Sequence, residues 1–306
     1  TFPSERRGRG IGLWAGVSGA ITALGPFIGG VLASLEWRYV FLAMVPLGLV
    51  TLVVSLVSVP RLATRERTRI DWPGATLIVV GLAALSYGLI RLPEAQGALG
   101  PLFALALGTV SLAGFVLVES RSAEPLVPFS MFTRRVTGAN LATLLLYFAF
   151  QASLFLLSFY LQQLLGYTST AAGLALLPAT GIIALLSAPS GTVTDRFGPR
   201  VQMIAGPLLV AAGLAALTLS SGTGGTYLGA LLPGVALLGL GMVTLIPAIT
   251  KTALDVSPGY SGTASGVNNA AARLAGLLAV TIAGSLLNHT FRLSLAARLP
   301  SDLPAR

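Results

Sequence analysis

Polar and charged side chains are so scarce in this chain that any one inside an apolar stretch is a candidate for chemistry. Asn140, Thr143, Tyr147, Gln151 and Ser158 fall at offsets 0, +3, +7, +11 and +18, a single stripe on a helix. Polar groups facing lipid would be costly, so this stripe faces protein or a water-filled cavity. It either lines a path for a solute or supplies hydrogen bonds between packed helices. Arg273 is the only basic residue inside an apolar stretch, with Asn269 one turn earlier on the same face, and no such interior holds a carboxylate. A charge there is a functional candidate, unless the helix projects far enough for the arginine to snorkel to the interface.

A different chemistry is spelled by Gly16-Val17-Ser18-Gly19, which matches the Gly-x-Ser-Gly string of intramembrane serine proteases. That reaction needs a histidine base within hydrogen-bond reach of the serine. The only histidine, His289, lies just past the last apolar stretch, while Ser18 falls near the opposite end of its own, so hydrolysis is disfavoured. With no cysteine, thiol catalysis and cysteine-based metal sites are excluded. No Gly-x-x-x-x-Gly-Lys-Ser/Thr string occurs and Lys251 is the only lysine, so no ATP site is expected. No metal centre, cofactor or catalytic residue is expected either.

The elements that must position these residues are nine apolar stretches, near 12–33, 38–60, 72–92, 99–118, 137–160, 171–193, 201–220, 226–250 and 262–287. A helix of about 20 apolar residues matches the ~30 Å hydrocarbon core of a bilayer. The 306 residues are 54% hydrophobic and 9% charged, with mean hydropathy +0.84. A β-barrel would alternate apolar and polar residues over short segments, and that pattern is missing. The fold class is therefore all-α, a polytopic integral membrane protein with about nine transmembrane helices. The net charge of +9 does not point to nucleic acid. With residue 1 in the cytoplasm, thirteen basic residues fall on the inner side and five on the outer. This asymmetry sets the orientation, with the C-terminus of the chain outside. An odd number of spans and a start without Met suggest a piece of something larger.

Punctuation divides the chain further. Asp71-Trp72-Pro73-Gly74 places a capping acid before an early-turn proline. Glu124-Pro125-Leu126-Val127-Pro128 reads as an extended linker between two helical bundles. Gly8 and Gly12 match Gly262 and Gly266 at an offset of 254, each pair opening a span after a proline-containing polar stretch. Weak internal symmetry of this sort is what duplicated transporter halves retain, although glycine-rich spans also resemble one another by composition.

Two strings carry a family resemblance. Gly25-Pro26-x-x-Gly29-Gly30, with Gly12 upstream, places a proline kink between glycines that permit close packing. Gly191-x-x-x-Asp195-Arg196-x-Gly198-x-Arg200 forms a tight basic turn between two spans. The first resembles the antiporter motif, and the second the second-half signature loop, of the major facilitator superfamily. The closest likeness is to its fourteen-helix drug:proton antiporters of the quaternary-ammonium exporter type. Residues 262–276, with Asn268, Asn269 and Arg273, resemble that family's thirteenth helix. Ile21 departs from the family's usual glycine.

The resemblance covers nearly the whole chain and implies a partial major facilitator fold spanning helices five to thirteen. Residues 1–71 would end the N-terminal bundle and 72–118 would be the extra hairpin. Residues 119–136 would be a cytoplasmic linker, and 137–306 the C-terminal bundle with an external tail. It further implies proton-coupled efflux of lipophilic or cationic small molecules across the cytoplasmic membrane. Asp195 would cap the following helix or latch onto the start of the first span near Gly8 to Gly12. Asn140, Thr143, Tyr147, Gln151, Asn268, Asn269 and Arg273 would line the substrate path. A truncated, non-transporting fragment or scaffold is the alternative.

Overall fold

The computed structural model describes residues 25, 28–32, 34–58, 71–92, 99–122, 125–220 and 226–298. Among these residues there are helices and connecting turns and no strand. The helices are α1 (Trp37–Leu42), α2 (Met44–Ser58), α3 (Trp72–Arg91), α4 (Leu99–Glu119), α5 (Arg134–Phe159), α6 (Ser169–Phe197), α7 (Pro199–Ser220), α8 (Tyr227–Ala230), α9 (Leu232–Ala253) and α10 (Ser261–Arg298). With α1 and α2 counted as one span, eight are long and apolar enough to cross a membrane. They coincide with eight of the nine stretches expected above, and most of 12–33 lies outside the described residues.

Lipid is the solvent these surfaces require. No residue of α2 is buried among the described residues, and Leu185, Leu208 and Leu219 on α6 and α7 are widely exposed. In water such apolar area would drive aggregation, whereas in hydrocarbon it costs nothing.

Local sequence chemistry sets the helix ends. Asp71 caps α3 as expected, its Oδ1 accepting from the Gly74 N–H at 3.0 Å with Pro73 in the first turn. Thr168 caps α6 by accepting from the Ala171 N–H. Past Phe159, α5 continues as a π-helical turn, Tyr160–Leu164. Two boundaries differ from the sequence expectation. The stretch 226–250 is interrupted at Leu231, which divides α8 from α9. α6 runs on to Phe197, so Asp195 and Arg196 occupy its last helical turn rather than a connecting loop. The stop comes only at Gly198, whose φ of 77° and ψ of 168° are open to glycine and strained for other residues.

Contacts group the described residues into two compact units. One draws on 1–68 and 156–255, the other on 69–155 and 256–306. In the first, α9 packs along both α7 and α6. Its approach to α7 is a glycine seam. A Cβ on Gly234 would meet the Gly213 carbonyl oxygen at 3.0 Å, and one on Gly241 would meet that of Gly206 at 2.8 Å. Small residues at such crossings let backbones close to van der Waals contact, the main cohesive force available in lipid. In the second unit α3 and α4 form a hairpin on the same principle, and α10 packs on α3.

Candidate functional site

The signature-loop residues sit in a rigid corner of the first unit. α6 presents Ser190, Gly191, Thr194 and Asp195 towards its end, and α7 returns after the Gly198 turn. Gln202, nearly fully buried, ties the two helices: its Nε2 donates to the Ser190 carbonyl at 3.0 Å and to Ser190 Oγ at 2.9 Å, while its Oε1 accepts from Thr194 Oγ1. Every polar atom of that side chain thus has a partner, the condition under which a buried network adds rigidity. Asp195 neither caps α7 nor stands free. Its Oδ1 lies 2.7 Å from Lys251 Nζ on α9, with the two side chains 19% and 38% exposed. The capping role expected from sequence is therefore replaced by a helix-to-helix ion pair, because α6 extends past Asp195 and turns it towards α9. A latch on residues 8–12 concerns residues outside those described. Arg196 is exposed over the Phe197 ring, and Arg200 is exposed in the first turn of α7.

Of the antiporter-motif residues, Gly12 and Pro26 lie outside the described residues. Gly25 is exposed and Gly29 half-buried, with no described atom where a Cβ would sit on either. Gly30 is buried, and its missing Cβ would meet the Ser169 carbonyl oxygen at 3.2 Å, so the motif closes onto the start of α6. Next to that contact Gln162, in the π turn, accepts from Ser169 Oγ at 3.3 Å and donates to Ser158 Oγ at 3.0 Å.

In the second unit the polar stripe divides. Thr143 is buried and donates to Asn268 Oδ1 at 2.9 Å, joining α5 to α10. Asn140 is buried one turn away; its Nδ2 donates to the Val136 carbonyl, and its Oδ1 has no partner. Tyr147 is half-buried and Gln151 is exposed, its Nε2 3.5 Å from where a Cβ on Gly276 of α10 would be. The stripe thus bonds helices at one end and is open at the other. Asn269 is exposed and donates to the Ser265 carbonyl, and Arg273 is exposed without a described ionic partner. α10 is 38 residues long, about 57 Å at 1.5 Å per residue, which exceeds the ~30 Å hydrocarbon core.

Lys251 and Gln202 are the residues that sequence reasoning passed over. Lys251 is the chain's only lysine, three residues inside the end of α9, and Gln202 is a lone amide opening an apolar helix. Isolation of that kind was the available signal.

Among the described residues, eight helices long and apolar enough to cross a membrane, with a signature loop clamped by an ion pair, define a multi-pass membrane protein of transporter architecture. The chain belongs to the major facilitator superfamily, whose family model matches residues 1–280. It is 36% identical over 295 residues to the tetracenomycin C resistance and export protein of Streptomyces glaucescens, covering 94% of this chain and 54% of the relative. It is 32% identical over 297 residues to the methylenomycin A resistance protein of Streptomyces coelicolor, covering 95% and 62%. The multidrug resistance protein Stp of Mycobacterium tuberculosis is 29% identical over 308 residues, covering 99% and 57%. The chain spans somewhat over half the length of these relatives. Membership of a transporter family sets aside the protease reading; Ser18 lies outside the described residues and His289 is exposed.

Proposed function

We propose that this chain is part of a secondary active exporter that moves lipophilic, often cationic, small molecules out of the cell in exchange for protons. It would do so by alternating access, two bundles rocking about a central site. The observation that carries the reading is the Asp195–Lys251 pair at 2.7 Å, which fastens the signature loop to a neighbouring helix. A contact that forms in one state and breaks in another biases a two-state equilibrium by its own free energy. The names of the relatives, which speak of resistance and export, support the direction of transport and a small-molecule cargo.

In this reading Gly12, Gly25, Pro26, Gly29 and Gly30 shape a kinked helix that seals the bundle, and Asn140, Thr143, Tyr147, Gln151, Asn268, Asn269 and Arg273 line the route. The four-segment division stands with it, as do a cell-membrane location, residue 1 on the cytoplasmic side and the C-terminal tail outside.

The test is efflux of a lipophilic cationic dye from cells or everted vesicles carrying a full-length version. Efflux should stop when the proton gradient is collapsed and should weaken with Pro26→Ala and Asp195→Asn. Efflux indifferent to the gradient would remove the proposed coupling, and none at all would favour a scaffold.

A further inference from the structure

The hairpin of α3 and α4 ends in a charged corner that the transport reading leaves unused. A Cβ on Gly74 would lie 3.0 Å from Glu119 Oε2, so the start of α3 and the end of α4 meet at one membrane face. α4 has 21 residues, about 32 Å at 1.5 Å per residue, which matches the ~30 Å hydrocarbon core. Its last residue, Glu119, therefore stands at the boundary between acyl chains and headgroups. Trp72 and Phe129 at this end are exposed, as aromatic residues at a membrane interface commonly are.

The two described acids of this corner turn away from its surface. Asp71 Oδ1 caps α3 at the Gly74 N–H, Glu119 Oε1 accepts from the Val127 N–H, and the second oxygen of each is buried. The arginines do the opposite. Arg121, Arg134 and Arg135 are exposed, and none forms an ion pair with a described residue. The Arg121 N–H donates to the Val118 carbonyl at 3.0 Å, so the chain is still helically turned where this side chain leaves it. Arg121 thus stands above Leu117 and Val118, four and three residues back on the same face. Together with Ser122 these residues line an open cleft of about 350 Å³, which lies wholly within the second unit. Its floor is hydrocarbon, and its rim is a guanidinium beside a hydroxyl.

An occupant must meet both chemistries at once. A soluble anion would pair with Arg121 but leave Leu117 and Val118 wet, and a neutral apolar molecule would cover them but leave the charge unpaired. A phospholipid does both, with an acyl chain on the floor and phosphate oxygens accepting from the guanidinium fork and the Ser122 hydroxyl. Arg134 and Arg135 open α5 seven residues after Val127, where the Glu119 bond pins the linker to the hairpin. Their positive field at this face favours an anionic headgroup over a zwitterionic one.

We propose that the cleft at the end of α4 binds an anionic phospholipid, its phosphate on Arg121 and Ser122 and its acyl chain against Leu117 and Val118. This lipid site is independent of the transport reading and is tested without a transport assay.

Native mass spectrometry of the full chain, released from nanodiscs of equal parts phosphatidylglycerol and phosphatidylcholine, counts the lipids that stay bound. The wild type should retain phosphatidylglycerol preferentially, and Arg121→Gln should lower that preference about fivefold, as expected for one arginine near an anionic surface. Arg121→Lys, which keeps the charge, should restore most of it. Leu117→Glu, at an exposed position one turn below, supplies Arg121 with a carboxylate of its own and should abolish the preference without removing the arginine. Soluble glycerophosphoglycerol in excess should not displace the lipid. Equal retention of the two lipids by the wild type, or a preference unchanged in Arg121→Gln and in Leu117→Glu, would overturn the proposal. Displacement by the soluble headgroup would overturn it too, in favour of a site for free anions. Either variant decides if the other fails to fold.

Discussion

Lys251 Nζ and Asp195 Oδ1 lie 2.7 Å apart across 56 residues of sequence, one on α9 and the other on the last turn of α6. The pair is half-exposed rather than sealed, so water can compete for it and it can be broken at moderate cost. That property suits a contact meant to open and close.

Breaking the pair should therefore alter transport more than stability. Asp195→Asn and Lys251→Met should each change unfolding by about 1 kcal/mol or less, since exposed pairs are worth about 0.2–1 kcal/mol. Each should lower efflux by a fewfold in a full-length version. The double exchange Asp195→Lys with Lys251→Asp should recover part of that loss, and no recovery would mean that the pairing itself is unimportant.

Gly239 tests the close approach of α9 to α6. A Cβ there would lie 2.5 Å from the Ala179 carbonyl oxygen and 2.8 Å from its Cα, both backbone atoms that cannot swing away. Gly239→Ala should cost about 1–3 kcal/mol, the usual range for overpacking. Gly181→Ala, in the middle of α6 with nothing within 4 Å, should be neutral or stabilising by up to about 1 kcal/mol. Thermal unfolding in detergent compares the two.

The Gln202 network should be intolerant of isosteric change. Gln202→Glu keeps an acceptor for Thr194 but loses the N–H bonds to Ser190, and it buries a charge. A loss of about 2 kcal/mol or more is expected, from unpaired buried groups and desolvation. Gln202→Leu should cost less than the glutamate variant, and the reverse order would show that the site is open to water.

Thr143 and Asn268 make the one described side-chain bond between α5 and α10. A double-mutant cycle with Thr143→Val and Asn268→Leu should give a coupling of about 0.6 kcal/mol, typical of hydrogen bonds between membrane helices. A coupling indistinguishable from zero would show that the two residues act separately, as path-lining groups would.

The membrane-crossing elements were legible in the sequence because hydrocarbon demands a continuous apolar run and a fully bonded backbone, and both are local properties. The Asp71 cap was legible for the same reason, since its partner is three residues away. The end of α6 was misread because Asp195 and Arg196 look like loop residues. Only a neighbouring helix carrying Lys251, with Gln202 beneath, makes it favourable to hold them in helical geometry. The polar stripe was readable as a stripe, but not the point at which it stops bonding helices and becomes open.

Residue order alone determined that this chain is helical and lies in lipid, and which side chains are too polar to face it. Pairings decided by tertiary structure were invisible in that order: Asp195 with Lys251, and Thr143 with Asn268. Hydrophobicity acts residue by residue and can be summed along a chain. A hydrogen bond or ion pair depends on distances of about 3 Å, which only the packing of helices distant in sequence can set.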